Sequence, residues 1–192
     1  MTPARRATTN LARGDRPPLK KGLGQHHLRS GALCRPLVRF LRPAGRTVIE
    51  IGPGGGVLTA ELLAAGARVV ACELDLPWAF HLRRALGADP ALSILAHDAL
   101  ALAAGRLPAG TLAAGNLPFN VATAILQRLL EQAPAVEAMA FLLQKEVAER
   151  LLAAPGTKAY GALSVLVQAR ADASLLGTVK PGSFVPPPKV AA

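Results

Sequence analysis

Four short stretches carry residues whose types could do chemistry, and each follows an apolar run. V-I-E-I-G-P-G-G-G-V puts glycines at 52, 54 and 56, a turn that lets backbone approach a ligand closely. Val57 stands where the dinucleotide fingerprint G-x-G-x-x-G needs a glycine, and no Lys-Ser/Thr pair follows, so a P-loop is excluded. Glu73 lies about twenty residues on, the spacing of an acid that accepts both ribose hydroxyls of a nucleoside; the plain alternative is a carboxylate at a strand end. Asp98, in A-H-D-A-L, can accept from an adenine amino group or cap a helix N-terminus. His97 beside it and His81 read as ordinary surface or core residues. In G-N-L-P-F-N, Asn116 offers a neutral acceptor oxygen, Leu117–Pro118 a carbonyl with no helix partner, and Phe119 a flat apolar face. Two acceptors and a ring suit a planar amine, as on a flipped-out base; the competing reading puts Asn116 in a turn and Phe119 in the core.

The segments between these stretches must position them. Leu33, Leu37, Val38 and Leu41 have helical spacing and stop before Pro43. Apolar runs at 47–51, 68–74, 92–96, 111–114 and 138–143 then alternate with helical patterns at 57–65, 78–86, 121–130 and 145–153. Strands apolar on both faces, alternating with helices, predict an α/β fold: a mostly parallel sheet with helices on both faces. Ligands of such sheets bind at the carboxyl ends of the strands, where all four stretches fall. Residues 160–169 fit helix or strand, 174–179 predict a strand, and 184–190 are too Pro-rich for either.

At 192 residues the chain suits one domain. Aromatics are only 4%, so the core is predicted to be mostly Ala, Leu and Val. The longest uncharged run, 107–127, contains two Pro and two Asn and does not read as a membrane span. The layout of a secretory signal is missing. Cys34 and Cys72 lie in apolar segments and predict reduced core thiols; no Cys/His cluster has metal-ligand spacing. The charge is uneven: 11 of the 22 Lys and Arg lie in residues 1–46 against one acid, Asp15, and the remainder balances at 11 and 11. Residues 1–19 therefore read as a basic, disordered arm, and the +10 formal charge points to a polyanion, nucleic acid first.

E-I-G-P-G-G-G, E-L-D (73–75), H-D-A (97–99) and N-L-P-F-N together resemble the S-adenosylmethionine-dependent adenine-N6 methyltransferases. G-L-G-Q-H-H-L (22–28), L-Q-K-E-V-A-E-R-L (143–151), G-T-K-A-Y-G-A-L-S-V (156–165) and S-F-V-P-P-P-K-V (183–190) narrow this to the rRNA adenine N6,N6-dimethyltransferase family. The resemblance implies a Rossmann-like methyltransferase domain over residues 20–192, with the last sheet strand and a C-terminal helical domain absent. It implies S-adenosylmethionine as methyl donor, held by His26, Leu28, Gly52, Glu73, Asp98 and Asn116. Asn116, Leu117, Phe119 and Phe184 would then hold the target adenine, Phe184 as the second wall of its pocket. Histidine replaces the family's commoner asparagine at 26, and Phe119 replaces its commoner tyrosine. The expected partner is small-subunit ribosomal RNA within a precursor particle, met by a cytoplasmic monomer with no metal and no membrane. Rival readings are a macrolide-resistance methyltransferase of large-subunit rRNA, a non-catalytic RNA-binding or transcription factor of the same fold, and a nicotinamide dehydrogenase, the last disfavoured by Val57 and N-L-P-F.

Overall fold

The structure, a computed structural model, describes residues 16–102, 107–118, 120–131 and 135–192. Phe119 and most of the basic arm lie outside the described residues. Five parallel strands form the sheet: β2 (Thr47–Ile51), β3 (Arg68–Glu73), β4 (Leu92–Ala96), β5 (Thr111–Asn116) and β6 (Val136–Leu142), in the order β4-β3-β2-β5-β6. A two-stranded antiparallel ladder joins β1 (His27–Leu28) to β7 (Phe184–Val185). The helices are α1 (Arg35–Leu41), α2 (Val57–Ala64), α3 (Leu76–Leu86), α4 (Ala122–Glu131), α5 (Lys145–Leu152) and α6 (Ala162–Gln168).

The period of two along the strands divides the core. Val48 of β2, with Leu112 and Ala114 of β5, packs against Leu41, Leu58, Leu62 and Leu82 of the first three helices. Ile49, Ile51 and Ala113 face the other way, onto Ile125, Leu129, Leu151 and Val167 of the last three. Both faces are covered, as continuous apolar strands require. Cys34 and Cys72 are free and buried, and burial pushes both thiols up to about 12, so they stay protonated.

Strand order fixes where a ligand can sit. The chain runs outward from β2 through β3 to β4, then returns to place β5 on the other side of β2. Crossovers leave in opposite directions at that point, and the crevice between them is the usual binding position in open α/β sheets. Gly52, after β2, and Asn116, closing β5, flank it; Ile51 and Gly115 are register partners.

Two expectations need correction. Residues 174–179 form no strand: 171–178 are exposed, and among the described residues Val179 exchanges backbone bonds with Ala192 alone. A β pattern without a neighbouring strand has no ladder to join. Conversely, Phe184 and Val185 do pair, because the prolines that forbid a ladder begin only at Pro186. The ambiguous 160–169 segment is helical, as α6.

Candidate active site

The glycine turn after β2 is shaped by what lies on it. Gly54 has φ 49°, and a Cβ there would sit 2.7 Å from the His27 ring, so only glycine lets the first residue of β1 lie across the turn. His27 packs edge-on against Trp78 of α3, ring centroids 4.2 Å apart. Burial holds its imidazole down to about 4, hence neutral near pH 7.

Glu73 ends β3 beneath this turn. Its Oε2 accepts from the Gly54 amide at 3.0 Å and its Oε1 from the Asp75 amide at 2.9 Å. Burial pushes the carboxyl above its ordinary value, and these amides pull it partly back. Each oxygen keeps a second lone pair for a ligand donor. Glu73 thus braces the turn and lines an open cleft together with His26, Gly52 and Asn116.

Asn116 closes β5 on the other side of the cleft. Its Nδ2 donates to the His26 carbonyl at 2.5 Å, which fixes which way the amide faces. The opposite atom, Oδ1, is buried and has no hydrogen-bond partner. A buried acceptor left unmatched costs about 1–3 kcal/mol and so marks a place prepared for a donor. His26 is oriented too: Nδ1 lies 2.8 Å from the Pro186 carbonyl, which can only accept, so Nδ1 carries the proton and Nε2 is the acceptor in the neutral ring. The Leu117 side chain is buried, and its amide donates to Leu142 O at 3.1 Å, fixing the chain just before Pro118.

Other predicted site residues are placed differently. Asp98 reaches the same sheet edge but is exposed, lies off the cleft wall, and accepts from the Leu100 amide at 2.9 Å, the capping role. Leu28 is a core residue facing Phe184 across the β1–β7 ladder. Phe184 is 0% exposed and lies within the same core.

Sequence reasoning missed the residues that hold the N-terminal segment in place. Asp75 is 2% exposed; its Oδ1 pairs with Lys20 Nζ at 2.8 Å and its Oδ2 accepts from Gln25 Nε2 at 3.0 Å. Asn120 Nδ2 donates to the Gly22 carbonyl at 3.1 Å. Asp75 and Asn120 each sit inside a quoted motif, and that adjacency was the available signal. Glu50 of β2 was missed as well. It is buried, and burial, reinforced by nearby Glu73, pushes its carboxyl up to about 8. Thr59 lowers it in part, though neither Thr59 Oγ1 nor Glu50 Oε2 reaches hydrogen-bond geometry.

A pH dependence follows from Glu50. Its folded value lies above the usual carboxylate value, so the native state keeps a proton that the unfolded chain releases. Stability from this group is full below about pH 4 and is lost as pH rises toward 8. Glu50→Gln should remove that slope: between pH 6 and pH 8 the wild-type Tm should fall by about 5 °C more than the variant's, read by calorimetry. Parallel melting curves would mean that Glu50 is ionised when folded.

Among the described residues, no group of three His, Cys, Asp or Glu is placed to hold a metal ion, and no helix is long and apolar enough to cross a membrane.

Comparison with known proteins agrees with this geometry. A family model described as ribosomal RNA adenine dimethylase matches residues 18–192. Ribosomal RNA small subunit methyltransferase A of Xanthomonas oryzae pv. oryzae is 42% identical over 176 residues, covering 90% of this chain and 67% of that protein. Among solved structures, a dimethyladenosine transferase from Plasmodium falciparum matches with a TM-score of 0.77 and 26% identity, over 86% of this chain and 60% of that one. The 23S rRNA methyltransferase ErmE matches with a TM-score of 0.75 and 28% identity, over 86% and 66%. The chain thus spans about two thirds of the length of these relatives.

Proposed function

Because the chain belongs to the ribosomal RNA adenine dimethylase family, we propose that it transfers methyl groups from S-adenosylmethionine to the N6 amine of adenosines in small-subunit ribosomal RNA. The observation that carries this reading is Asn116 Oδ1, a buried acceptor without a partner on a residue lining the cleft. The lone pair of an adenine N6 is delocalised into its ring and attacks poorly. An N–H bonded to Asn116 Oδ1, and the other to the Leu117 carbonyl, favours a pyramidal and more nucleophilic amine. The His26 carbonyl holds the amide of Asn116 in orientation beforehand, so little reorganisation is left for the reaction. No strong base is required, since the proton becomes acidic only as the new bond forms.

The cofactor's fit rests on Glu73, whose spare lone pairs beside the Gly54 amide suit the two ribose hydroxyls of a nucleoside. When bound, S-adenosylmethionine supplies a methyl group on a positively charged sulfur. Glu73→Ala should weaken its binding by about 1.5–3 kcal/mol, the scale of hydrogen bonds to a charged acceptor. Calorimetric affinity equal to wild type would remove Glu73 from the ribose site. Partners and setting follow from the same reading: rRNA within a small-subunit precursor particle, a monomer acting in the cytoplasm, and a basic N-terminal arm that adds RNA affinity.

The reading is tested by incubating the chain and labelled S-adenosylmethionine with small-subunit rRNA, free and in particles, and with large-subunit rRNA. Nuclease digestion and mass spectrometry should find N6,N6-dimethyladenosine in the small-subunit samples. Label confined to large-subunit rRNA would favour the activity named for ErmE. Cofactor binding without transfer to any RNA would favour a non-catalytic RNA-binding role.

A further inference from the structure

Between Asp15 and Glu50 the sequence holds eight basic residues and no acid. α1 and the residue that ends it carry three of them. Arg35 and Arg39 share one helical face at i and i+4, Arg42 follows as the C-cap, and all three are exposed. Leu37 and Leu41 bury the other side of the helix in the core. Among the described residues none of the three arginines forms an ion pair or a side-chain hydrogen bond. Glu137 of β6, a strand that α1 packs against, is taken by Arg46 at 2.6 Å. Ordinary surfaces interleave the two signs of charge; this one does not.

Arg42 adds a second, independent observation. It ends α1 with φ 47°, the one non-glycine among the described residues in the left-handed region. Helices commonly end there in glycine, which takes that conformation without strain. An arginine kept in a strained position, with its head in solvent and no partner, points to a use for the charge. Phe40 lies beside it, 46% exposed, and offers a ring on which a base or sugar can rest.

We propose that this face of α1 is a docking surface for the phosphate backbone of the RNA substrate, outside the cleft; the proposal rests on the chain's acting on ribosomal RNA. Guanidinium groups match phosphate oxygens in a two-pronged fork, and three of them close together in sequence can engage neighbouring phosphates. A bilayer is the poorer occupant, because a helix lying in a membrane must expose its apolar side, and here that side is in the core.

The test is equilibrium binding of small-subunit rRNA to the wild-type chain and to R35Q/R39Q/R42Q over a range of KCl concentrations. The triple variant should lose about tenfold or more in affinity near 0.1 M salt. Its log–log salt slope should flatten by about 2, the counterion release of three phosphate contacts. S-adenosylhomocysteine affinity should be unchanged, which shows an intact fold. R42G separates charge from structure: it should raise Tm by about 2 °C by relieving the backbone while weakening RNA binding severalfold. A residue that merely ends the helix would raise Tm without any loss of RNA affinity. Equal slopes for wild type and triple variant would overturn the docking face and leave the methyltransferase reading intact. Wild-type chain that binds S-adenosylhomocysteine but no rRNA would overturn both. Variants that keep rRNA binding but lose affinity for phosphatidylserine vesicles would reassign the face to a membrane and overturn the proposal.

Discussion

Asn116→Ala should slow single-turnover methylation of small-subunit rRNA roughly 10²–10³-fold, the scale of losing one preorganised polar contact in a reaction centre. The variant removes the unpartnered Oδ1 and also the Nδ2 donor that fixes the His26 carbonyl. Asn116→Asp divides the two roles. It keeps an acceptor at the amine but turns the His26 contact into a meeting of two oxygens, so cofactor affinity should fall while part of the rate survives. RNA affinity should change little in either variant, because phosphate contacts dominate it. The amine's protons grow more acidic as the methyl arrives, so the acceptor works harder in the transition state than before it. The loss should therefore appear in the rate at saturating RNA and cofactor. A wild-type rate for Asn116→Ala would make the carboxamide a turn residue and remove the mechanism with it.

How much of this was legible in the sequence depends on the range of the interaction. β2 and β4 fall on the expected residues, because an apolar run closed by glycine or a charged turn is a local signal. The convergence of Gly52, Glu73 and Asn116 was legible as well, since parallel strands point their carboxyl ends the same way. What was not legible are partnerships across long separations. Asp75 holds Lys20 and Gln25, 55 and 50 residues away, and nothing in E-L-D says that its aspartate faces the N-terminal segment. Phe184 pairs with Leu28, 156 residues earlier, and nothing in S-F-V-P-P-P-K-V names that partner. Residues 174–179 failed for the opposite reason: their local pattern is strand-like, and no neighbour supplies a ladder.

The second large effect concerns Gly115, which the sequence presents as one more turn residue in G-N-L-P-F-N. The structure gives it a different reason. Gly115 lies inside β5, beside Ile51 of β2, and a Cβ there would stand 2.5 Å from the Ile51 carbonyl oxygen and 3.3 Å from a Leu117 methyl. The first contact is backbone in the middle of a parallel sheet and cannot rotate away, so β2 and β5 would have to part. Overpacking a core costs about 1–3 kcal/mol where side chains can yield; with a rigid carbonyl the upper end is expected. Gly115→Ala should therefore lower Tm by roughly 6–12 °C, on the scale of about 2–4 °C per kcal/mol for a domain of this size. Gly177→Ala is the control: nothing lies within 4 Å of its added methyl, and its φ is outside the left-handed region, so its melting point should match wild type. The strands that would part are the two flanking the crevice. Gly52 and Asn116 would separate, and S-adenosylmethionine affinity should fall even well below the melting transition. Calorimetry on the two variants, with and without cofactor, reads both effects. If Gly115→Ala melts with Gly177→Ala, the sheet tolerates the methyl, and the close approach of β2 to β5 is not what requires glycine before Asn116.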